Sequence, residues 1–304
     1  MPILALDLGG TKLAGALFSR DGRLLQRTES ALEGRSGSAV GQLIVELAGV
    51  LATFAPLEAA GVGVPGIFHS RTGTVWAPNI AGWEDYPLLD ELQTALGPHV
   101  PCTVESDRSC YIMGEAWQGS ARGARDAIFL AVGTGIGAGI LTDGRVLRGQ
   151  HGIAGAIGWL ALDRPYRAEY GECGCFEFHA SGVGIARAAQ ARGMTDCTTR
   201  DVFLAHANHD PVAQEVIADA VAYWGMAVAN LVSLFNPEVI VFGGGVFGTA
   251  TLLLDRIRAE AARWAQPIGM QQVELRPSAL GGDAGLYGAA RAALDRIAVP
   301  LAVH

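Results

Sequence analysis

The chain has 304 residues, half of them hydrophobic and 17% charged, with a formal net charge of −8 at neutral pH. That is enough chain for two domains with a generous core, and the composition favours a compact globular fold over disorder. The acidic balance, with no lysine/arginine cluster, argues against nucleic acid or anionic membrane as the main partner. Five cysteines at positions 102, 110, 173, 175 and 197 form an odd, scattered set, which argues against a disulfide framework and fits a reducing cytoplasm. No basic n-region opens the chain, and Asp7 and Lys12 interrupt its first apolar stretch, so no signal peptide is expected. The apolar stretches 127–141 and 239–254 are too short and glycine-rich to span a bilayer.

The first element is an apolar run, Ile3 to Leu8, that carries one acid, Asp7, and stops at Gly9-Gly10-Thr11-Lys12. The glycines let the backbone turn sharply and bring its N–H groups close to an anion. Thr11 adds a hydroxyl and Lys12 a positive charge, while Asp7 at the strand end is placed to hold a hydrated Mg²⁺. No helix follows these glycines, so the stretch is neither a Walker A loop nor a dinucleotide fingerprint. It reads as a phosphate-holding hairpin; on its own it reads equally as a glycine-rich β-turn with a stray acid. Leu13–Ser19 and Arg23–Ser30 are expected to be strands joined at Asp21-Gly22. A helix is expected over Ser38–Phe54, a buried strand over Ala60–Pro65, and a short strand over Thr74–Trp76 that delivers a loop carrying Asn79. Pro87–Leu96 reads as a helix, Cys102–Glu105 as a strand ending at Ser106-Asp107, and Arg108–Trp117 as the next helix.

A second half begins near Gly119. The strand Ala127–Val132 runs into Gly133-Thr134-Gly135-Ile136-Gly137, and Ala138–Leu141 and Asp143-Gly144 follow. Aligning Thr11 with Thr134, and allowing one extra residue at Arg20, matches Leu17-Phe18 with Ile140-Leu141 and Asp21-Gly22 with Asp143-Gly144. The chain therefore repeats its opening hairpin, which suggests duplicated halves that each offer a glycine turn to phosphate. Pro211–Phe235 is expected to be a long helix stopped at Asn236-Pro237. Val239–Phe242 is a buried strand running into Gly243-Gly244-Gly245, where a flat ligand can lie close to backbone. A helix over Phe247–Trp264, a strand over Gln272–Leu275 and a closing helix over Ala284–Ile297 complete the reading.

Together these stretches resemble the ROK family (repressors, open reading frames, kinases) of the actin-like/hexokinase ATPase superfamily. The likeness runs nearly the whole chain. It is carried by Asp7 to Lys12, Gly63-Val-Pro-Gly66, Ala77-Pro-Asn79, Asp107 with Gly114-Glu115, Gly133 to Gly137, Gly174-Cys-Phe-Glu177, Ala180-Ser-Gly182 and Asn236 to Gly244. The resemblance implies an α/β fold of two RNase H-like lobes around an interdomain cleft where ATP and a sugar meet. The small lobe would span residues 1–118, with a closing helix at 287–304 packed back on it, and the larger lobe 119–286. It implies an ATP-dependent carbohydrate kinase acting on the 6-hydroxyl of a hexose, amino sugar or related polyol, and a cytoplasmic homodimer. Carried over by position, Asp107 is the general base, with a helix N-cap as its structural alternative. Gly66, Asn79, Ser106 and Glu177 would contact sugar. Gly9, Gly10, Thr11, Lys12, Gly133, Thr134, Gly135, Gly243 and Gly244 would face ATP, and Asp7 would hold Mg²⁺ through water.

The departures are local. Family kinases have Glu and His where this chain has Ala156 and Trp159, so Trp159 is expected to give the sugar pocket an apolar or stacking wall. Two of the three family thiolates fall at Ala168 and Tyr170, and Ser106 replaces an asparagine. Cys173, Cys175 and His179, with His151, match no structural zinc spacing, so no zinc is expected. A non-catalytic sugar-binding regulator acting through a protein partner is the alternative reading.

Overall fold

The computed structural model describes residues 1–298; positions 299–304, the end of the expected closing helix, lie outside the described residues. The chain forms two compact units. One holds Met1–Gly123, Arg148–Ala154 and the chain from Gly282 onward; the other holds Ala124–Leu147 and Gly155–Gly281. The sequence reading divided the chain at 118/119 and 286/287, without the return of 148–154 to the first unit.

The first unit is built on a five-stranded sheet of order β3-β2-β1-β4-β7. Strands β1 (Ile3–Leu8), β2 (Lys12–Phe18) and β3 (Leu24–Ala31) run antiparallel in turn, while β4 (Ala59–Val64) is parallel to β1, and β7 (Cys102–Ser106) is parallel to β4. The period-2 pattern sends Leu4 and Leu6 to one face and Ile3 and Ala5 to the other. Helices α1 (Ser38–Ala52) and α2 (Leu88–Leu96) cover the leucine face through Val40, Ile44, Leu51, Leu88 and Leu92. The opposite face is small-residue territory, where α3 (Asp107–Gln118) and α11 (Ala284–Ala298) pack on it. A Cβ on Gly61 would sit 2.0 Å from the Ala289 carbonyl oxygen, so only glycine allows that approach. Strands β5 (Ile67–His69) and β6 (Thr74–Trp76) form a separate antiparallel hairpin.

The second unit repeats this topology as β10-β9-β8-β11-β12. Its strands are β8 (Ala127–Val132), β9 (Ile136–Thr142), β10 (Arg145–Val146), β11 (Val239–Gly243) and β12 (Glu274–Pro277). Asp143 and Gly144 both have positive φ, 50° and 74°, which suits the tight β9–β10 turn. Its helices are α4 (Tyr170–Cys173), α5 (Cys175–Ala180), α6 (Gly182–Ala191), α7 (Thr199–Ala207), α8 (Pro211–Phe235), α9 (Leu254–Ala261) and α10 (Pro267–Gln272). Helix α8 starts under an Asp210 cap to the Ala213 N–H (2.9 Å) and stops at Asn236 in the left-handed region. It is long and apolar enough to cross a membrane by composition, yet it buries Val216, Ile217, Trp224 and Val228 in the core of its own unit.

Two expectations change here. The helix expected over Phe247–Trp264 is two short 3-10 turns followed by α9, because Gly245 and Gly248 weaken its first part. The last strand lies at Glu274–Pro277, displaced by α10, which Pro267 opens. The repeat itself slips by one residue. The β1–β2 pairing closes at Leu8–Leu13 and β8–β9 at Val132–Ile136, so the first turn is one residue longer. Asp7 stands opposite Ala14 and Ala131 opposite Gly137, which makes Ala131 the counterpart of Asp7.

Candidate active site

Strand β1 carries Asp7 into a socket made by two glycines. A Cβ on Gly63 would lie 3.2 Å from Asp7 Oδ1, and one on Gly285, at the start of α11, 2.3 Å from Oδ2. Asp7 Oδ1 is shielded from solvent and has no hydrogen-bond partner. Burial first, and then the charges of Asp107 and Asp283, push the Asp7 pKa from 3.8 up to about 7, with Lys12 acting against the rise. An orphaned carboxylate oxygen among further acids is costly as it stands and fits a hydrated divalent cation. In the turn, the Gly9 N–H donates to Lys12 O (2.9 Å) and the Leu32 N–H to Thr11 O (2.9 Å). Gly10 and Thr11 are exposed. Lys12 Nζ donates to Glu29 Oε2 (3.1 Å), an exposed pair of the kind worth little, so a phosphate can displace it.

At the end of β7 the capping role falls to Ser106, whose Oγ accepts from the Ser109 N–H (3.3 Å) and also bonds Ser109 Oγ (3.0 Å). Asp107 is thereby not the cap. It sits in the first turn of α3, where its Oδ1 accepts from the Arg108 N–H (2.7 Å) and its carboxylate takes a further bond from Tyr111. Burial pushes its pKa up, and Arg108 opposes the shift. Gly114 and Glu115 explain themselves structurally. A Cβ on Gly114 would meet Ala284 O at 2.4 Å, and buried Glu115 accepts from the Ser120 N–H (2.6 Å). A Cβ on Gly66 would meet Trp76 O at 2.1 Å, which fixes a glycine there; Asn79 is exposed in the turn after β6.

In the second unit the Gly133-Thr134-Gly135 turn is closed by the Gly133 N–H on Gly135 O (2.9 Å) and tied to α6 by the Gly182 N–H on Gly133 O (2.8 Å). Thr134 is exposed. Glu177, on α5, accepts from the Ile136 N–H through Oε2 (2.6 Å). A Cβ on Gly135 would come within 2.7 Å of that oxygen. Burial raises the Glu177 pKa and the Ile136 bond opposes it. This prop was not legible in the sequence, because nothing in the spacing links 136 to 177. A Cβ on Gly243 would strike the Phe129 ring at 2.2 Å, and Gly244, with φ of 88°, lies against Val132 O. Trp159 is 58% exposed.

Two of the donors considered for zinc, His179 and Cys173, have other partners. His179 Nε2 is 2.7 Å from the Tyr170 hydroxyl and 3.3 Å from Asp163 Oδ2, and its ring stacks on Tyr223 at 4.3 Å. Cys173 Sγ donates to Gly174 O, and Cys175 is buried. Among the described residues no group of three or more His, Cys, Asp or Glu is arranged to hold a metal ion.

Two mixed sheets of one topology, each opening on a glycine-turn hairpin, define a protein of the actin-like ATPase fold. The sequence model of the ROK family matches residues 3–296, and the chain belongs to that family. It is 32% identical to a glucokinase of Halalkalibacterium halodurans, over 94% of this chain and 92% of that protein. The crystal structure of a ROK hexokinase from Thermus thermophilus superposes with a TM-score of 0.84 at 34% identity, covering 98% of this chain and 99% of the other. A ROK glucokinase from Streptomyces griseus, solved with glucose and AMPPNP, gives 0.81 at 29% identity, over 97% and 100%.

Proposed function

We propose that the chain is an ATP-dependent carbohydrate kinase that transfers the γ-phosphoryl group to a sugar hydroxyl, with Asp107 as general base. The acceptor would be the 6-hydroxyl of a hexose, amino sugar or related polyol. The observation that carries this is the placement of Asp107: Ser106 does the capping, and Asp107 is left as a fixed carboxylate in the first turn of α3. Burial raises its pKa, which strengthens it as an acceptor of the hydroxyl proton. The relatives named glucokinase and hexokinase, and the neighbour solved with AMPPNP, support the reaction class.

The roles of the other residues follow from what each can donate or accept. The Gly9-Gly10 and Gly133-Gly135 turns, each closed by its own Gly9 or Gly133 N–H bond, would approach phosphate with the N–H groups of Gly10 and Gly135, while Thr11, Thr134 and Lys12 add side-chain donors, and Gly243 and Gly244 let the nucleotide approach backbone. Asp7 would hold Mg²⁺ through water, and that ion supplies charge neutralisation at the phosphates when bound. Gly66, Asn79, Ser106 and the Glu177 Oε1 would take sugar hydroxyls, with Trp159 as an apolar wall. The five cysteines are all free, in keeping with a cytoplasmic setting, and assembly as a homodimer belongs to the same proposal.

ADP release with Mg-ATP across a panel of hexoses, N-acetylated amino sugars, deoxy sugars and cyclitols, with a zinc chelator as control, tests the reading. Turnover of one or two members, unaffected by the chelator, is expected. Silence across the panel, with sugars still raising Tm, would point to a sugar sensor instead.

A further inference from the structure

We propose that the first unit carries a second sugar subsite next to Asp107, so that the preferred acceptor is a glycoside or disaccharide rather than a free hexose. The inference rests on the kinase reading and concerns how the acceptor is chosen.

The observation is a cavity of about 670 Å³ formed wholly by residues of the first unit. One wall is the β5–β6 hairpin, a second is the end of β7 with the first turn of α3, and a third is the returning segment at 148–152. Its volume falls among sites that enclose a whole small-molecule ligand, and is more than one pyranose ring fills. Ser106, the residue before Asp107, and Ser109, one turn into the same helix, both line it. A serine at 106, where the family resemblance expects asparagine, leaves room at the wall nearest the proposed base.

The chemistry of the lining fits a neutral polyol. The charges come as two arginines against two acids, and Arg148 is paired with Glu105. Among the described residues nothing hydrogen-bonds the side chains of His69, Arg71, Gln150 or His151, although all four face the cavity. A sugar ring presents several hydroxyls that both donate and accept, which is what imidazole, amide and guanidinium groups can satisfy together. Phe68 supplies apolar wall for the C–H face of a ring. A free anion would find Arg148 already neutralised by Glu105, and Arg71 offset by the charge of Asp85.

The test is ADP release by the full chain with Mg-ATP on glucose, methyl β-glucoside, cellobiose and maltose, in the parent, His151→Ala and Ser70→Trp. Both substituted positions are exposed, so folding is not at stake. At least one disaccharide is expected to exceed glucose tenfold or more in kcat/KM, with the difference in KM. Each variant should shrink that preference at least fivefold, again through KM. Glucose turned over as well as or better than both disaccharides, or a preference untouched by both variants, would overturn the inference and leave the kinase reading standing. If none of these four is turned over, the wider sugar panel decides the kinase reading. Calorimetry with cellobiose and maltose then decides the subsite: binding weakened by His151→Ala supports it, and no binding overturns it.

Discussion

The β1–β2 and β8–β9 hairpins share a topology and obtain their carboxylates in opposite ways. In the first, the acid belongs to the strand: Asp7 stands one residue before the closing pair, with Oδ1 shielded and unpartnered. In the second, the matching position is Ala131, and the acid arrives from α5, where Glu177 accepts from the Ile136 N–H. On the proposed reading the first hairpin keeps its negative charge for a cation, while the second uses its acid to hold the turn's backbone. One scaffold, used twice, has one acid with an unpartnered oxygen and one acid that props a turn.

The largest effect that would sharpen this contrast comes from Asp7→Asn. Turnover should fall roughly 10³-fold, in line with losing a principal electrostatic element at a phosphoryl-transfer site. The same change should raise the Tm of the metal-free protein, because it removes a buried charge that its neighbours disfavour. Loss of activity with loss of stability would mean Asp7 is a structural acid after all. Next comes Gly285→Ala, which would push a methyl group within 2.3 Å of Asp7 Oδ2. A drop in kcat of about 10²-fold or more is expected, since small displacements of positioned groups are costly. Parent-like kinetics would show that the Asp7 socket is loose.

For the second hairpin, Glu177→Ala leaves the Ile136 N–H without its partner, at a cost of about 1–3 kcal/mol. The KM for ATP should rise about tenfold as the turn loosens, whereas the Mg²⁺ dependence stays as in the parent. A changed Mg²⁺ dependence would erase the distinction between the two acids. The smallest effect concerns the network behind Glu177. Burial holds the His179 pKa below its usual 6.5, so the folded protein favours the neutral ring. That contribution is complete above pH 6.5 and is lost as pH falls through the folded pKa. Between pH 7 and pH 5 the parent should lose more Tm than His179→Gln. Equal losses would show that the imidazole is not neutral in the fold.

Much of the fold was legible because its signals are local. Glycine turns between alternating strands, the Asp210-Pro211 start of α8 and its Asn236 stop are written in neighbouring residues. Helix α6 was missed because Gly182–Ala191 is mostly glycine and alanine, which blurs the apolar periodicity. Helix α7 is short, with only Val202 and Phe203 buried. At the site, Asp7 stood out as an acid at a strand end before a glycine turn, whereas Asp107 was named only through the family resemblance. The Glu177–Ile136 bond, the Gly285 socket and the Asp163–Tyr170–His179 cluster could not be picked out, since each joins residues that only the folded chain brings together. The one-residue slip between the hairpins was hidden for a related reason: matching Thr11 to Thr134 is right on the second strand of each hairpin and wrong on the first.

Asp107 is proposed to take the proton from a sugar hydroxyl. The most direct test is kcat for Asp107→Asn on the best sugar of the panel, at saturating Mg-ATP, with Tm recorded alongside. A fall of about 10²–10⁴-fold, with sugar KM and Tm close to the parent's, is the predicted result. An Asp107→Asn protein that turns over as fast as the parent would contradict it.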